Sequence, residues 1–250
     1  MKSRTLGPAM LCIALPLAAG AGSLRVGPTR VDLSPRHPVA VLEVQNTGDL
    51  PTLAQVDTLA WAQNGGEESL EPTPELLATP LVMSLAPGET QKVRVGLREL
   101  DGAGRERSYR VIVAEVTPTF VASAGLLFAV RISVPVFAST REPQTTAAHA
   151  AATLNWRLRP DIQGCSRVEI FNEADRHEHV IHAELIGSEG QLLWSSGGPD
   201  YVLAGAQRTL APPVCISASS RGVQLRLATE SETLTLPPPV GGMVADSKRE

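Results

Sequence analysis

The segment Leu126-Leu127-Phe128-Ala129-Val130-Arg131-Ile132-Ser133-Val134-Pro135-Val136-Phe137 constrains this chain more than any other. Side chains of a β-strand alternate between its two faces, so Leu126, Phe128, Val130, Ile132, Val134 and Val136 form one unbroken apolar row. The opposite row is mixed and carries a charge at Arg131. A row of this length either lies inside a sandwich core or is offered to a second chain. The rest of the sequence has to decide between the two.

Helical periodicity is nearly absent elsewhere. Short runs rich in Val, Leu, Ile and Thr are broken by Pro, Gly, Asn and Asp every eight to twelve residues, the spacing of an all-β sandwich. The pattern predicts strands over Leu24–Leu33 (interrupted at Gly27-Pro28 by an edge or bend), Val39–Asn46, Leu53–Trp61, Leu81–Leu85, Gln91–Leu97, Ser108–Val116 and Leu126–Phe137. Seven strands in this span is the immunoglobulin-like count. After a polar, alanine-rich linker over 140–152, shorter runs resume: Leu154–Leu158, Arg167–Asn172, Val180–Ile186, Leu192–Ser195, Tyr201–Leu203, Val223–Leu227 and Thr233–Leu236. The chain therefore divides into a first β-domain over 22–139, a linker over 140–152, a second over 153–237 and a frayed tail over 238–250.

The first 21 residues read as a cleaved secretory signal: basic Lys2 and Arg4, an apolar run from Ala9 to Ala19, and the small-residue site Ala19-Gly20-Ala21. The run is too short to span a bilayer, so the mature chain is expected to be exported and not inserted in a membrane. Two of the 22 basic residues leave with the signal, so 20 basic residues face 26 acidic ones and the formal charge is −6. That balance, without a basic stripe interleaved with aromatics, gives nucleic acid no footing. Cys165 and Cys215 are the only cysteines outside the signal. An even pair in an oxidising compartment makes a disulfide the default, stabilising by roughly 3–4 kcal/mol in the chain-entropy model.

Several ordered matches then point to a family. Val26-Gly27-Pro28-Thr29-Arg30-Val31, Val44-Gln45-Asn46-Thr47, Ala78-Thr79-Pro80, Leu85-Ala86-Pro87-Gly88, Gln91-Lys92-Val93-Arg94 and Arg105-Glu106 ahead of Tyr109 and Glu115-Val116 occur in succession. In order and spacing they resemble the PapD-like periplasmic chaperones of the chaperone–usher pilus pathway. The resemblance covers nearly all of the first domain. The second is similar only in size, β pattern and paired cysteines. Three positions depart from the family: Arg107 stands where it has Ser, Ile112 where it has a buried Asn, and Val136-Phe137-Ala138 where it ends in Tyr-Arg-Pro. The short stretch 117–125 and the Val-Pro-Val-Phe ending resemble the archaic class, whose subunits are of the spore-coat-U type.

The resemblance implies two immunoglobulin-like sandwiches in a boomerang, and no catalysis or cofactor. It implies that the seventh strand is the offered one, lending its row to a pilin that lacks its own last strand. Leu126, Phe128 and Val130 are then the expected donor residues with Ile132 continuing the row, while Val134 and Val136 remain core. It also implies a basic pair in the interdomain cleft that anchors the subunit's terminal carboxylate, as a guanidinium fork suits. Arg30 matches the family arginine. The family lysine falls on Ser133, so Arg131, two residues earlier on the same face, is the expected substitute. Partners would be pilus subunits and an outer-membrane usher, with self-capping as a homodimer in the free state.

Other signals carry less. Arg176-His177-Glu178-His179-Val180-Ile181-His182 is the one histidine cluster; His177 and His179 share a strand parity but His182 does not, so a metal site is not expected. No nucleophile elbow, phosphate loop or zinc-protease helix appears. Trp61, Trp156 and Trp194 are expected in core positions. The residue pattern alone leaves room for a secreted adhesion or carbohydrate-binding module, or a hydrolase using the histidines.

Overall fold

The computed structural model describes residues 24–99, 104–116, 129–140, 153–160, 165–214, 222–230 and 232–237. Among the described residues, ten strands precede residue 139: β1 (Leu24–Gly27), β2 (Val31–Leu33), β3 (Val39–Asn46), β4 (Thr52–Asn64), β5 (Glu67–Pro72), β6 (Leu76–Thr79), β7 (Val82–Leu85), β8 (Thr90–Leu97), β9 (Arg107–Glu115) and β10 (Arg131–Ala138). They form two facing sheets, ordered β1-β3-β8-β6 and β2-β10-β9-β4-β5, with β7 on the edge of β4. Alternation explains the sandwich: Leu42 and Val44 of β3, Val93 and Val95 of β8, and Val111 and Val113 of β9 are all fully buried in one core cluster.

The expected first strand is two strands. The chain bends at Gly27-Pro28, so that β1 pairs antiparallel with β3 in one sheet while β2 pairs parallel with β10 in the other. The Gly-Pro interruption thus marks a crossing between sheets. Strand β4 is 13 residues long because it serves two neighbours on one side: its start pairs β7 and its end pairs β5, with β9 along the other side. Asn46, completely buried at the end of β3, is tied by its amide to the carbonyls of Leu50 and Leu85 and by its carbonyl to the amide of Gly48.

Eight further strands follow: β11 (Leu154–Pro160), β12 (Ser166–Asn172), β13 (Glu178–Ile186), β14 (Leu192–Ser195), β15 (Asp200–Val202), β16 (Gln207–Val214), β17 (Gln224–Thr229) and β18 (Thr233–Leu236). Their sheets are β11-β12-β16 and β14-β13-β17-β18, with β15 on β13. They enclose a second core that holds Trp156 and Trp194. Three strands escaped the sequence pattern. Strand β5 (Glu-Glu-Ser-Leu-Glu-Pro) is a charged edge that pairs only β4, β6 is a four-residue edge on β8, and β16 contains Pro212-Pro213. Strand β5 is almost wholly exposed, β6 is too short to show an alternation, and two prolines interrupt the pattern of β16.

Candidate functional site

The seventh strand of the sequence reading appears as β10, which starts at Arg131. Leu126 and Phe128 lie outside the described residues. Strand β10 has two neighbours of very different extent. Strand β9 pairs along its whole length, from Arg131 opposite Ala114 to Ala138 opposite Arg107. Strand β2 pairs only Val136, Phe137 and Ala138. The Val130 carbonyl accepts from the Glu115 amide at 2.9 Å, so even-numbered residues turn their main-chain groups to β9 and odd-numbered ones turn theirs away. Arg131 and Ser133 therefore direct N–H and C=O at an edge that no described strand occupies.

The side chains divide by the same parity. Val134 and Val136 are buried in the first core, as expected, while Val130 and Ile132 are partly buried and pack against its end. The row thus runs out of the core toward the unpaired edge. The opposite parity faces the second domain, and there Phe137 is buried with Trp61 and Leu203, flanked by Tyr201 and Ala206.

That cluster joins the two domains. His177 stacks on Phe137 with centroids 3.5 Å apart, His179 stacks on Tyr201 at 4.2 Å, and Trp61 lies edge-on to Tyr201 at 5.7 Å. His177 Nδ1 meets the buried Glu106 carboxylate, which also accepts from the His177 amide at 3.0 Å. Gln63 donates to the Tyr201 carbonyl at 2.7 Å and accepts from the Leu203 amide at 3.0 Å. Gly66 accepts from the Thr209 amide, where a Cβ would meet Thr209 Oγ1 at 2.1 Å. The histidines read from sequence thus divide between the domain contact and, for His182, a pairing with Glu184 at 3.5 Å. Trp61 is buried, but in this contact and not in a sandwich core.

Arg30 lies in the cleft between the domains. Its Nε is 3.1 Å from Asp32 and its Nη1 holds the Glu230 carboxylate, from the turn after β17. That hydrogen bond holds the Glu230 carboxyl below its ordinary range. Arg131 is not brought beside Arg30. The parallel register that sets Val31 opposite Val136, continued back one residue, places Arg30 level with Pro135. Arg131 is four residues from that level, about 13 Å at strand rise. The residue on that level is Arg110, directly opposite Pro135 on β9. Its guanidinium stacks on Trp61 at 3.7 Å and lies 6.0 Å from the Tyr201 ring centre. The sequence reading did not single out Arg110, because cross-strand register is invisible in a linear pattern.

Cys165 immediately precedes β12, while Cys215 lies outside the described residues. Strands β12 and β16 pair with Ser166 opposite Val214, which brings together the chain neighbours of both cysteines.

Two immunoglobulin-like sandwiches thus meet across an aromatic contact, with an arginine in the cleft and a strand beside it whose outer edge no described strand occupies at Arg131 and Ser133. Residues 23–143 match the family of pili and flagellar-assembly chaperones, PapD N-terminal domain, and this first domain belongs to that family. The family is one of chaperones and not of enzymes. The fold is similar to that of CsuC in complex with the tip adhesion subunit CsuE, from the archaic chaperone–usher Csu pili of Acinetobacter baumannii. There the TM-score is 0.66 at 21% identity, covering 87% of this chain and 99% of that one. It is also similar to Salmonella enterica SafB in complex with the SafA pilin, with TM-score 0.61, 20% identity, and 89% and 99% covered. The Pseudomonas aeruginosa CupB2 chaperone gives TM-score 0.56, 20% identity, and 87% and 100% covered. Among curated proteins no sequence matches.

Proposed function

We propose that this chaperone works in the periplasm, binding pilus subunits by donor-strand complementation through the segment 126–132, blocking their premature polymerisation and delivering them to an outer-membrane usher. The observation that carries the reading is the edge of β10 at Arg131 and Ser133, which no described strand occupies, beside an apolar row that leaves the core at Ile132 and Val130. An incoming strand finds main-chain partners on that edge, and Leu126, Phe128, Val130 and Ile132 supply the side chains for its open core. Each such side chain, once buried, contributes on the order of 1.5–3 kcal/mol. Arg30, in the cleft, takes the subunit's terminal carboxylate in this reading. Cys165 and Cys215 form the one disulfide, supported by the register of β12 and β16. In the free protein a second copy caps the edge. The archaic subclass is favoured by the short 117–125 stretch and the Val-Pro-Val-Phe ending.

Co-expression with a candidate pilus subunit that lacks its own last strand tests the reading. The expected result is a stable one-to-one complex recovered from the periplasm. Replacing Leu126, Phe128 and Val130 together by Thr is expected to abolish it while the circular dichroism of the free chaperone stays unchanged. A complex that persists at wild-type affinity with those three changes overturns the donor-strand assignment.

A further inference from the structure

The outer face of the β11-β12-β16 sheet carries a charge arrangement that folding does not call for. Alternation turns Trp156 and Leu158 of β11 and Val168 and Ile170 of β12 into the second core. Arg157, Arg159, Arg167, Glu169 and Phe171 therefore share the opposite face. On that face the Glu169 carboxylate is completely buried between two arginines: Arg157 Nε lies 2.6 Å from Oε2, and Arg159 Nε lies 2.8 Å from Oε1. One carboxylate thus holds two guanidiniums by their Nε groups alone. Their Nη groups have no hydrogen-bond partner among the described residues, and both side chains stay about half exposed. Arg157 is braced further by the Phe171 ring, 4.7 Å from its guanidinium carbon. Arg167 lies directly opposite Arg159. Like charges so placed oppose strand pairing, and a single forked arginine is enough to neutralise a buried carboxylate. Three arginines against one acid leave a local excess of positive charge on a chain whose formal net charge is −4.

We propose that this face of the second domain is a docking site for an extended acidic segment of a partner protein, with Glu169 as the organiser of its two central arginines. A carboxylate that binds both Nε groups fixes the two guanidiniums side by side and leaves their Nη donors for a ligand. Arg157 and Arg159 are two residues apart on one strand, about 7 Å. Acidic side chains at alternate positions of an extended segment have the same spacing, so each guanidinium can meet one. Phe171 lies beside them as an apolar plate, and Arg167 adds a third positive charge. The charge distribution selects the class of partner. A broad anionic surface such as a membrane is repelled by the rest of an acidic chain, whereas a short acidic segment meets this face alone. The site takes side-chain carboxylates, lies on a different domain from Arg30, and stands whether or not β10 donates to a subunit.

The probe is a fluorescent peptide, Gly-Glu-Thr-Glu-Thr-Glu-Gly, acetylated and amidated so that it carries no terminal carboxylate, beside an analogue with Gln for each Glu. Anisotropy at low ionic strength measures both against the full chain. The wild type is expected to prefer the Glu peptide by about tenfold or more, the worth of one charge-assisted contact. The double variant Arg157→Lys, Arg159→Lys keeps the charge and loses the fork, and should lose most of that preference. Glu169→Gln raises the local positive charge by one. If charge alone drew the peptide, this variant would bind it more tightly; with Glu169 as organiser, it should bind several-fold more weakly. Arg226→Gln, on the other sheet of the same domain, should bind as the wild type does. Emission of Trp156, on the core side of β11, reports whether the domain stays folded. Should Glu169→Gln unfold it, the lysine pair decides, because it leaves Glu169 charged and paired. Equal affinity of the wild type for the two peptides overturns the site. So does a lysine pair that discriminates as strongly as the wild type, an Arg226→Gln that loses as much, or a folded Glu169→Gln that binds as tightly or more so. Vesicles of phosphatidylethanolamine and phosphatidylglycerol in equal parts should not sediment the protein; sedimentation without peptide binding would make the face a membrane site and overturn the proposal.

Discussion

Removing the Gln63 side chain should uncouple the two domains without disturbing either sandwich. Gln63 lies at the far end of β4, past the point where the first core ends, and only 7% of it is exposed. Its amide makes two main-chain bonds to the second domain, to the Tyr201 carbonyl at 2.7 Å and from the Leu203 amide at 3.0 Å. Gln63→Ala removes both and leaves a buried donor and a buried acceptor without partners. Each orphaned group costs about 1–3 kcal/mol, so the loss is expected at roughly 2–4 kcal/mol once partial rehydration is allowed. Gln63→Glu separates the two bonds: a carboxylate still accepts from Leu203 but opposes the Tyr201 carbonyl, so it should destabilise at least as much as alanine. Urea unfolding reads the total. Hydrogen exchange at the Leu203 amide reads the contact itself, and protection there should fall in both variants while amides of Val93 and Val111 in the first core keep theirs. An alanine variant within 0.5 kcal/mol of wild type, with Leu203 still protected, would refute this account of the contact.

The same contact should weaken in acid. Burial pushes His179 below its ordinary value, and the hydrogen bond from Arg30 holds Glu230 below the carboxylate range. A depressed histidine opposes folding as pH falls below about 6.5, and a depressed carboxylate gives up its contribution as pH falls below about 4.5, through its still lower folded value. The fall in melting temperature between pH 4.5 and pH 3 should therefore be smaller in Glu230→Gln than in the wild type; a variant with the wild-type slope over that range would refute the assignment. For the cysteines, intact mass should rise by about 2 Da on reduction with no dimer released, since a disulfide within one chain differs from two thiols by two hydrogens. An unchanged mass would show that the two thiols are free.

The strands legible in sequence were those buried on one face along their whole length, such as β3, β8 and β9. Their alternation is the signature of a half-buried sheet. The glycine–proline break in the first strand was also visible, but its consequence, a change of sheet, depends on which neighbour each half finds. Arg30 was reached through a resemblance, whereas Arg110 and Gln63 required cross-strand register and the position of the second domain. One available signal went unused. Glu43-Val44-Gln45-Asn46-Thr47-Gly48-Asp49 and Glu169-Ile170-Phe171-Asn172-Glu173-Ala174-Asp175 follow one pattern, one in each domain. The structure gives both asparagines the same bonds. Asn172, like Asn46, holds the carbonyl four residues on and the amide two residues on, and reaches a third strand at the Val202 carbonyl. The repeat marks a strand end tied down in the same way in each domain.

One departure from the family pattern falls in the domain contact. Phe137 stands at the position of the family arginine in Tyr-Arg-Pro, and here it is buried between His177 and Trp61, so an aromatic stack fills this place. That substitution ties the register of β10 to both domains. Slipping the strand by one residue exchanges its two faces. Phe137 would enter the first core, Val136 would meet His177, and the row of Val130 and Ile132 would turn from the core side to the cleft. Val134 and Val136 resist the slip through the first core, and Phe137 resists it through the second domain. Pro135 adds to this, because its missing N–H is harmless only on the parity that faces the open edge. The strand with an edge that no described strand occupies is therefore also the strand whose register is fixed from both sides. A segment that must present alternate side chains to another polypeptide in one frame needs that constraint.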